Sequence, residues 1–322
     1  MKASWLASRI LEQSASNPSG ASSGQELVRR VSSVLRHMAL AAGWDAPCRV
    51  RVAGLAGSIM LPLSHQMPAY RNRHPYYDRL IEEIADVVRK DQTLRMVDVG
   101  ANVGDSILAS GPTEHDAFLA FEPHPAFIAY LRENLADVRQ VTVSHAACGS
   151  SDGSVAMGNA SHGTAGATTA DGGTQVALTS LDNALPVIWS SHTPNFVKID
   201  TDGFDIDVIE GGRHLWRDAR PWLLYEADSR LTRGGVSRHL EGIKQLAEAG
   251  YISALAFTNL GSVAARLRLD DPAAWRALLG SQSADGLVHY HDLLVAPSEE
   301  KLSGLIARLR AKRWPGAETS EA

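Results

Sequence analysis

Val97-Asp98-Val99-Gly100-Ala101-Asn102-Val103-Gly104-Asp105 carries a short apolar run into a turn punctuated by two glycines. The run, residues 94–99, reads as a buried strand, and it ends where Gly100 opens backbone conformations closed to other residues. A helix starting after this turn would present unpaired N–H groups to it. The plain alternative is an ordinary strand-to-helix connection. Glu122 weighs against that alternative: it closes the next apolar run, 22 residues after Gly100, where an acid can accept both hydroxyls of a ribose. Its own plain reading is an acid ahead of the helix that Pro123 and Pro125 announce. Strand, glycine turn, helix, strand and acid together describe a nucleoside-binding half.

Outward from this unit the alternation continues. Residues 118–121, 141–146, 195–200, 222–226, 251–257 and 288–295 read as further strands, seven in all. Helical spacing fills the gaps, from Pro125 and over 205–216, 237–249 and 272–279. Such alternation predicts parallel βαβ units with helices on both faces of the sheet. Upstream, Tyr77, Leu80, Ile81, Ile84, Val87 and Val88 form one apolar helical stripe, and residues 49–63 predict a small hairpin around Gly54 or Gly57. Residues 147–194, rich in Gly, Ser, Thr and Ala, are too long for a plain connection; they are short added strands or a flap. Four segments result: a disordered 1–24, a helical and hairpin extension over 25–92, the main domain over 93–311, and a flexible tail, 312–322.

The turn lacks the dinucleotide fingerprint G-x-G-x-x-G: Asn102 and Asp105 stand where glycines are needed. A pyrophosphate wants bare backbone there and no carboxylate. Asp98 and Asp105 suit instead a ligand carrying an ammonium or a sulfonium. S-adenosyl-L-methionine carries both, with a ribose for Glu122.

VDVGANVGDS, FEPHP, SLDN and FVKIDTDGFDIDVIEG, in this order, resemble the FkbM family of S-adenosylmethionine-dependent methyltransferases. HQMPAYRNRHPYY, from His65, and HYHDLLVAP, from His289, add to the likeness. The resemblance implies a class I methyltransferase fold, Rossmann-like α/β, with six parallel strands and an antiparallel last one. It implies that Asp98 and Gly100 face the methionine part of the cofactor and Glu122 the ribose, with Ala147, Cys148 and the turn to Asp152 near the adenine; Asn102 and Gly104 of the same turn are further expected cofactor contacts. Two departures stand out. Ser150 replaces an acid or amide frequent in the family, which passes the adenine contact to Asp152 or backbone. Asp202 and Asp205 stand where glutamates are usual, shortening the reach by one methylene each.

Asp200 ends an otherwise apolar strand, a costly place for a carboxylate unless it is paired or used. Lys198, two residues earlier, faces the same side, and Glu226 ends the neighbouring strand. These three form the catalytic set, Asp200 as general base or acceptor-orienting group, with Glu226, His65 and His192 as rivals. Asp202, His65 and Tyr70 are the expected acceptor contacts, whereas Asp205 reads rather as a helix-terminal acid. Arg71, Arg73 and His74 read as a solvated basic group. The implied activity is O-methylation of a hydroxyl on a sugar, a glycan precursor or a secondary metabolite. A nicotinamide-dependent oxidoreductase and a non-catalytic nucleoside-binding relative are the competing readings.

Composition narrows the partners. Lysine and arginine number 31 against 36 aspartates and glutamates, a formal charge of −5, so the basic footprint of a nucleic-acid binder is missing. No apolar stretch approaches the ~18 residues of a membrane span, and the start, MKASWL, lacks the core of a secretory signal. Cys48 and Cys148 form no metal or redox spacing, which fits a reducing cytoplasm. His289 and His291 share a strand face, yet no metal motif occurs and no metal ligand is expected. The expected partner is a small-molecule or glycan acceptor, and a homodimer is compatible with the sequence.

Overall fold

A computed structural model of the chain describes residues 2–158, 173–283 and 288–319. Helices α1 (Lys2–Ser14) and α2 (Ser23–Ala41) come first, then the hairpin β1 (Pro47–Arg51) and β2 (Ser58–Pro62), α3 (Met67–Arg73) and α4 (Leu80–Asp91). The main sheet begins with β3 (Arg95–Val99), α5 (Asp105–Ala109), β4 (Ala117–Phe121), α6 (Pro125–Asn134) and β5 (Val141–Ser144). Three short strands are inserted next: β6 (Ala146–Cys148), β7 (Gly153–Met157) and β8 (Thr174–Thr179). The second half runs through α7 (Leu181–Ile188), β9 (Phe196–Ile199), α8 (Asp205–Glu210), α9 (Arg213–Asp218), β10 (Trp222–Ala227) and α10 (Gly235–Glu248). It closes with β11 (Ser253–Thr258), β12 (Val263–Arg268), α11 (Pro272–Gly280), β13 (His291–Val295) and α12 (Glu299–Ala311).

Eight strands form the main sheet, in the order β5-β4-β3-β9-β10-β13-β11-β12. Parallel pairs join β5, β4, β3, β9 and β10, and β13 is antiparallel to both β10 and β11. Six strands therefore point one way, and β13 inserts between two of them in reverse, the α/β arrangement implied above. The eighth strand, β12, was not anticipated. It is an edge strand, VAARLR, carrying two arginines and mostly half-exposed, so it lacks the apolar run that marks its neighbours. The helix expected over 205–216 is two helices broken at Gly211-Gly212, where a β-carbon on Gly211 would stand 2.0 Å from the Gly149 carbonyl oxygen.

Strand alternation splits the core. Val97, Val99, Val197, Ile199, Leu223 and Tyr225 face one layer, packed with α7 through α11. Met96, Phe196, Trp222, Leu224 and Leu294 face the other, packed with α4, α5, α6 and α12. The chain leaves β3 toward β4 on one side and returns to β9 on the other, so a crevice opens at the carboxyl ends of β3 and β9.

The end expected to be disordered, 1–24, and the tail expected to be flexible, 312–322, both carry regular structure among their described residues. Residues 2–14 form α1, whose Ala7, Ile10 and Leu11 pack over the β1–β2 hairpin in a core of their own. Ala7, Leu11 and Ala15 repeat at helical spacing, an apolar stripe masked by the polar stretch behind it. That polar stretch is short and ends in a capping box at Ser22 and Gln25. In the tail, Trp314 is buried against Tyr76, ring centroids 4.9 Å apart, and its indole N–H donates to the Gly261 carbonyl at 2.7 Å. Of the segment 147–194, the described parts are β6–β8, a three-stranded sheet, and α7; residues 159–172 lie outside the described residues. No helix among the described residues is long and apolar enough to cross a membrane.

Candidate active site

The glycine turn is built by hydrogen bonds from its neighbour strand. Gly100 and Ala101 both donate to the Phe121 carbonyl, at 3.0 and 2.9 Å. Gly100 has φ +81°, and a β-carbon there would stand 1.8 Å from the Asp200 carbonyl oxygen. The ends of β3 and β9 thus touch through backbone alone. Asn102, also left-handed at φ +50°, donates its N–H to Glu122 Oε2 at 2.7 Å, while His124 N–H donates to Oε1 at 2.7 Å. Glu122 is therefore the clamp of the turn, and it stays within the cavity wall. Burial, with the Asp98 and Asp202 charges behind it, outweighs these two donors and pushes its pKa up to about 7.

Two adjoining cavities lie along the crevice. The smaller spans about 650 Å³, part of it open to solvent, and is lined by Gly100, Asn102 and Glu122 together with Ala147, Cys148, Met157 and Leu178. The larger spans about 1340 Å³, also partly open to solvent, and Tyr70, Tyr77, Asp78, Glu226 and Asp292 are among its lining residues. Asp200 and Asp202 line both. They are the partition.

The registers explain why charge collects here. Asp98 pairs with Lys198 across β3 and β9, and both side chains point to the α4–α12 face. One pleat further on that face come Asp200, Glu226 on β10 and, directly opposite it on β13, Asp292. Lys198 Nζ lies 3.0 Å from Asp200 Oδ2 and 3.7 Å from Asp98 Oδ1. Burial works against this ammonium, but Asp200 and Asp98 outweigh it and hold its pKa well above the ordinary value. Asp98 is fully buried with no hydrogen bond to either oxygen, and burial lifts it to about 6 against the pull of Lys198. Glu226 and Asp292 are pushed well up, first by burial and then by neighbouring carboxylates.

The structure sorts the residues named from sequence. Gly100, Asn102, Glu122 and Cys148 line the smaller cavity; Lys198, Glu226 and Tyr70 line the larger; Asp200 and Asp202 line both. Four do not reach either. Asp98 lies behind the turn, facing Lys198. Gly104 caps α5 at φ +86°, hard against Leu131 and Leu135. Asp152 accepts from Ser180 N–H, Thr179 Oγ1 and Asn183 Nδ2, so it ties the β6–β7 turn to the start of α7. His65 is buried beneath the turn: its Nδ1 accepts from Met67 N–H, which leaves Nε2 to donate to Asn102 Oδ1 at 3.4 Å. Burial lowers its pKa, and it serves as a prop.

His192 stacks on Trp189, centroids 4.8 Å apart, away from both cavities. Arg71 is not solvated: it is buried in α3, with Asp78 at 3.6 Å and Asp105 at 3.7 Å. Asp205 is buried too, accepting from Thr201 Oγ1 at 3.0 Å, and burial lifts it to about 7. Among the described residues no group of three His, Cys, Asp or Glu side chains could hold a metal.

Sequence reasoning missed Asp292, Tyr77 and Asp78. Asp292 interrupts the apolar strand HDLLV, the same signal that marked Asp200. Tyr77, assigned to the apolar helical stripe, precedes α4 and lies against the larger cavity, its ring stacked on Tyr70 at 5.4 Å. Asp78, at φ +54°, has no signature beyond its two tyrosine neighbours.

Residues 98–253 match the family model described as the methyltransferase FkbM domain. No curated protein matches the chain. Among solved structures, methyltransferase FkbM from Methylobacillus flagellatus KT is 20% identical with a TM-score of 0.32, over 42% of this chain and 33% of that one. This chain thus spans a third of that relative's length. Precorrin-6y C5,15-methyltransferase from Geobacter metallireducens GS-15 is 15% identical at a TM-score of 0.36, over 68% and 86%. Cofactor-bound Rv0187 from MTB is 14% identical at 0.39, over 69% and 81%.

Proposed function

For a chain that belongs to the FkbM family of methyltransferases, we propose S-adenosyl-L-methionine as the methyl donor, held in the smaller cavity, and a hydroxyl oxygen in the larger cavity as the acceptor. One observation carries the reading: Asp200 and Asp202 form the boundary of both cavities, so groups bound on either side meet at Asp200. The smaller cavity fits the donor. Glu122 keeps lone pairs for ribose hydroxyls beyond its two backbone donors. Ala147, Cys148, Met157 and Leu178 make an apolar slot for a purine, and the bare Gly100 backbone admits close approach. Bound there, the donor would supply an electrophilic methyl group on a sulfonium.

What the protein adds is alignment and proton removal. Aligning an acceptor oxygen for in-line displacement is worth up to ~7–11 kcal/mol, and a positioned base adds about 10²–10⁴-fold. Asp200 suits the base, since its Oδ2 is held by Lys198 while the side chain remains accessible from both cavities. Lys198 positions it. Glu226, its pKa pushed well up by burial and then by Asp200, lines the larger cavity beyond Asp200 and serves to orient the acceptor. Tyr70 and Asp202 both line the acceptor cavity.

The location and assembly we propose are cytoplasmic and homodimeric. Cys48 and Cys148 are both free and buried, consistent with a reducing compartment. Helix α2 buries Ser32 and Arg36 and exposes Leu27, Val31, Val34 and Met38, with Val28 and Leu35 beside them, all between 45% and 63% exposed. Their alternating spacing of four and three is the seam of a helix pair. A second copy on this face buries on the order of 1,000 Å² in total, the lower bound for a stable interface.

Calorimetry separates the readings. S-adenosylhomocysteine should bind at micromolar affinity and NAD should not. Binding of NAD alone would transfer the chain to the oxidoreductase reading. Binding of the homocysteine product without any labelled-methyl transfer across an acceptor panel would leave a nucleoside-binding relative.

A further inference from the structure

We propose that the acceptor carries a basic nitrogen: the larger cavity recognises an ammonium-bearing polyol, such as an amino sugar or aminocyclitol, through Glu226 and Asp292. The inference rests on the assignment of that cavity to the acceptor. Its first support is the register. Glu226 and Asp292 are paired directly opposite each other on antiparallel strands and project to the same face. Like charges in that relation repel. Neither side chain has a hydrogen bond or an ion pair to any described residue, and both line the larger cavity and not the smaller.

Charge balance is the second support. Six carboxylates line this cavity (Asp78, Asp200, Asp202, Glu226, Asp228 and Asp292) against two cations, Lys198 and Arg230. Both cations are already taken. Lys198 is held by Asp200 and Asp98, and Arg230 lies on Asp228 at 2.5 Å. A phosphorylated or carboxylated acceptor would enter a field of its own sign, with no free lysine or arginine among the described lining residues to receive it. The sulfonium of the donor answers Asp200 on the boundary, but Glu226 and Asp292 stand a strand and two strands further from the donor cavity.

The third support is independent of charge. Tyr77 stacks on Tyr70 at 5.4 Å, and Tyr290 and Phe257, the latter paired with Asp292 across β11 and β13, line the same cavity. Aromatic faces opposite carboxylates are the recognition set of an alkylammonium, which gains from ring quadrupole and charge-assisted hydrogen bonds together. They equally stack the apolar faces of a sugar ring. A single ammonium bridging Glu226 and Asp292 removes their repulsion and provides the countercharge absent from the wall. Burial and neighbouring carboxylates raise both acids above their ordinary values, and a bound ammonium favours their ionised forms, so amine binding should lower their proton affinity and release protons to buffer.

The test uses the full chain saturated with S-adenosylhomocysteine and the matched probes scyllo-inosamine, scyllo-inositol and inositol monophosphate. We expect the inosamine to bind at least about tenfold tighter than the inositol, with proton release seen as a dependence of the measured heat on buffer ionisation enthalpy. Asp292→Asn and Glu226→Gln should each erase that preference and the proton release while leaving S-adenosylhomocysteine affinity unchanged. Equal binding of amine and alcohol, tighter binding of the phosphate, or binding of none of the three overturns the inference. Failure of the donor reading is visible separately, as loss of S-adenosylhomocysteine binding in the first titration.

Discussion

Gly100 and Asp200 meet backbone to backbone: a β-carbon on Gly100 would stand 1.8 Å from the Asp200 carbonyl oxygen, at a φ of +81°. The strand that ends in the glycine turn and the strand that runs into Asp200 are thereby locked at one height. This contact is why the two cavities share Asp200.

Gly100→Ala should break that lock. Gly111 offers the control, since it is also left-handed at φ +63° but has no neighbour within 4 Å of a built β-carbon. Gly111→Ala should cost about 1–2 kcal/mol from backbone strain alone. Gly100→Ala should cost a further ~1–3 kcal/mol from steric crowding and abolish S-adenosylhomocysteine binding. Denaturant unfolding and calorimetry on the two variants decide it; equal losses with binding intact in both would remove the contact from the site.

The pH dependence of stability should carry the signature of the buried acids. A carboxyl whose folded pKa is raised gives stability that is full below its unfolded value, about 4, and is lost as pH rises toward the folded value. Those values are about 6 for Asp78, Asp98 and Asp202 and about 7 for Glu122 and Asp205, with Glu226 and Asp292 raised well above the ordinary range. Burial lowers His65, His124, His239 and His291, whose contribution runs the other way and saturates once the unfolded histidines lose their protons, near pH 6.5. With seven raised acids against four lowered histidines, stability of the ligand-free protein should therefore fall with rising pH from about pH 5 to about pH 8, more steeply once the histidine contribution has saturated. Scanning calorimetry across that range should show the fall, shallower in Glu226→Gln; a rising limb above about pH 7 would contradict it.

How much of this was legible in the chain differs between fold and site. Apolar runs such as AFLAF and WLLYEA announce strands because both faces of a covered parallel sheet are dry. The strand β12 is half-wet and charged, and α1 is short with a narrow stripe, so neither stands out. At the site, the glycine turn and Glu122 were readable because their spacing is local. Spacing, however, says which residues are near a turn and not where each side chain points. Asp98 and Asp152 follow the pattern yet turn into the protein, one to Lys198 and one to Ser180 and Asn183. Asp78 and Asp292 come from segments more than 200 residues apart, and only the folded sheet brings them to one cavity.

Asp200→Asn tests the base. The amide keeps the shape of the boundary and still accepts from Lys198, so S-adenosylhomocysteine affinity should change less than about threefold. Turnover should fall by about 10²–10⁴ in kcat with KM for the acceptor little altered. Undiminished kcat would hand the role to another group.

The exposed stripe of α2 makes the assembly testable. Sedimentation of the wild-type chain should give a dimer at micromolar concentration. Val31→Asp places a charge in the middle of the apolar seam and should yield monomer with unchanged helicity, since Val31 is 49% exposed in the single chain. A wild-type monomer, or a Val31→Asp dimer, would refute the seam. Arg36 anchors the opposite face by donating to the carbonyls of Leu63, Ser64 and His65, so the helix stays docked in either state.

Lys198 and Asp98 provide a double-mutant cycle. Asp98 is fully buried, without a hydrogen bond, and Lys198 at 3.7 Å is its compensating charge. Lys198→Met leaves that carboxylate unpaired and should cost about 3–5 kcal/mol of unfolding free energy at neutral pH, less at about pH 5, where Asp98 takes up a proton. Asp98→Asn alone should cost less, because the ammonium retains Asp200 at 3.0 Å. In the double variant no buried charge remains, and the loss should be smaller than the sum of the singles by about 1–3 kcal/mol. Strict additivity would mean that solvent, rather than Lys198, compensates Asp98. The pair would then have no part in holding Asp200, the proposed base, one pleat above it.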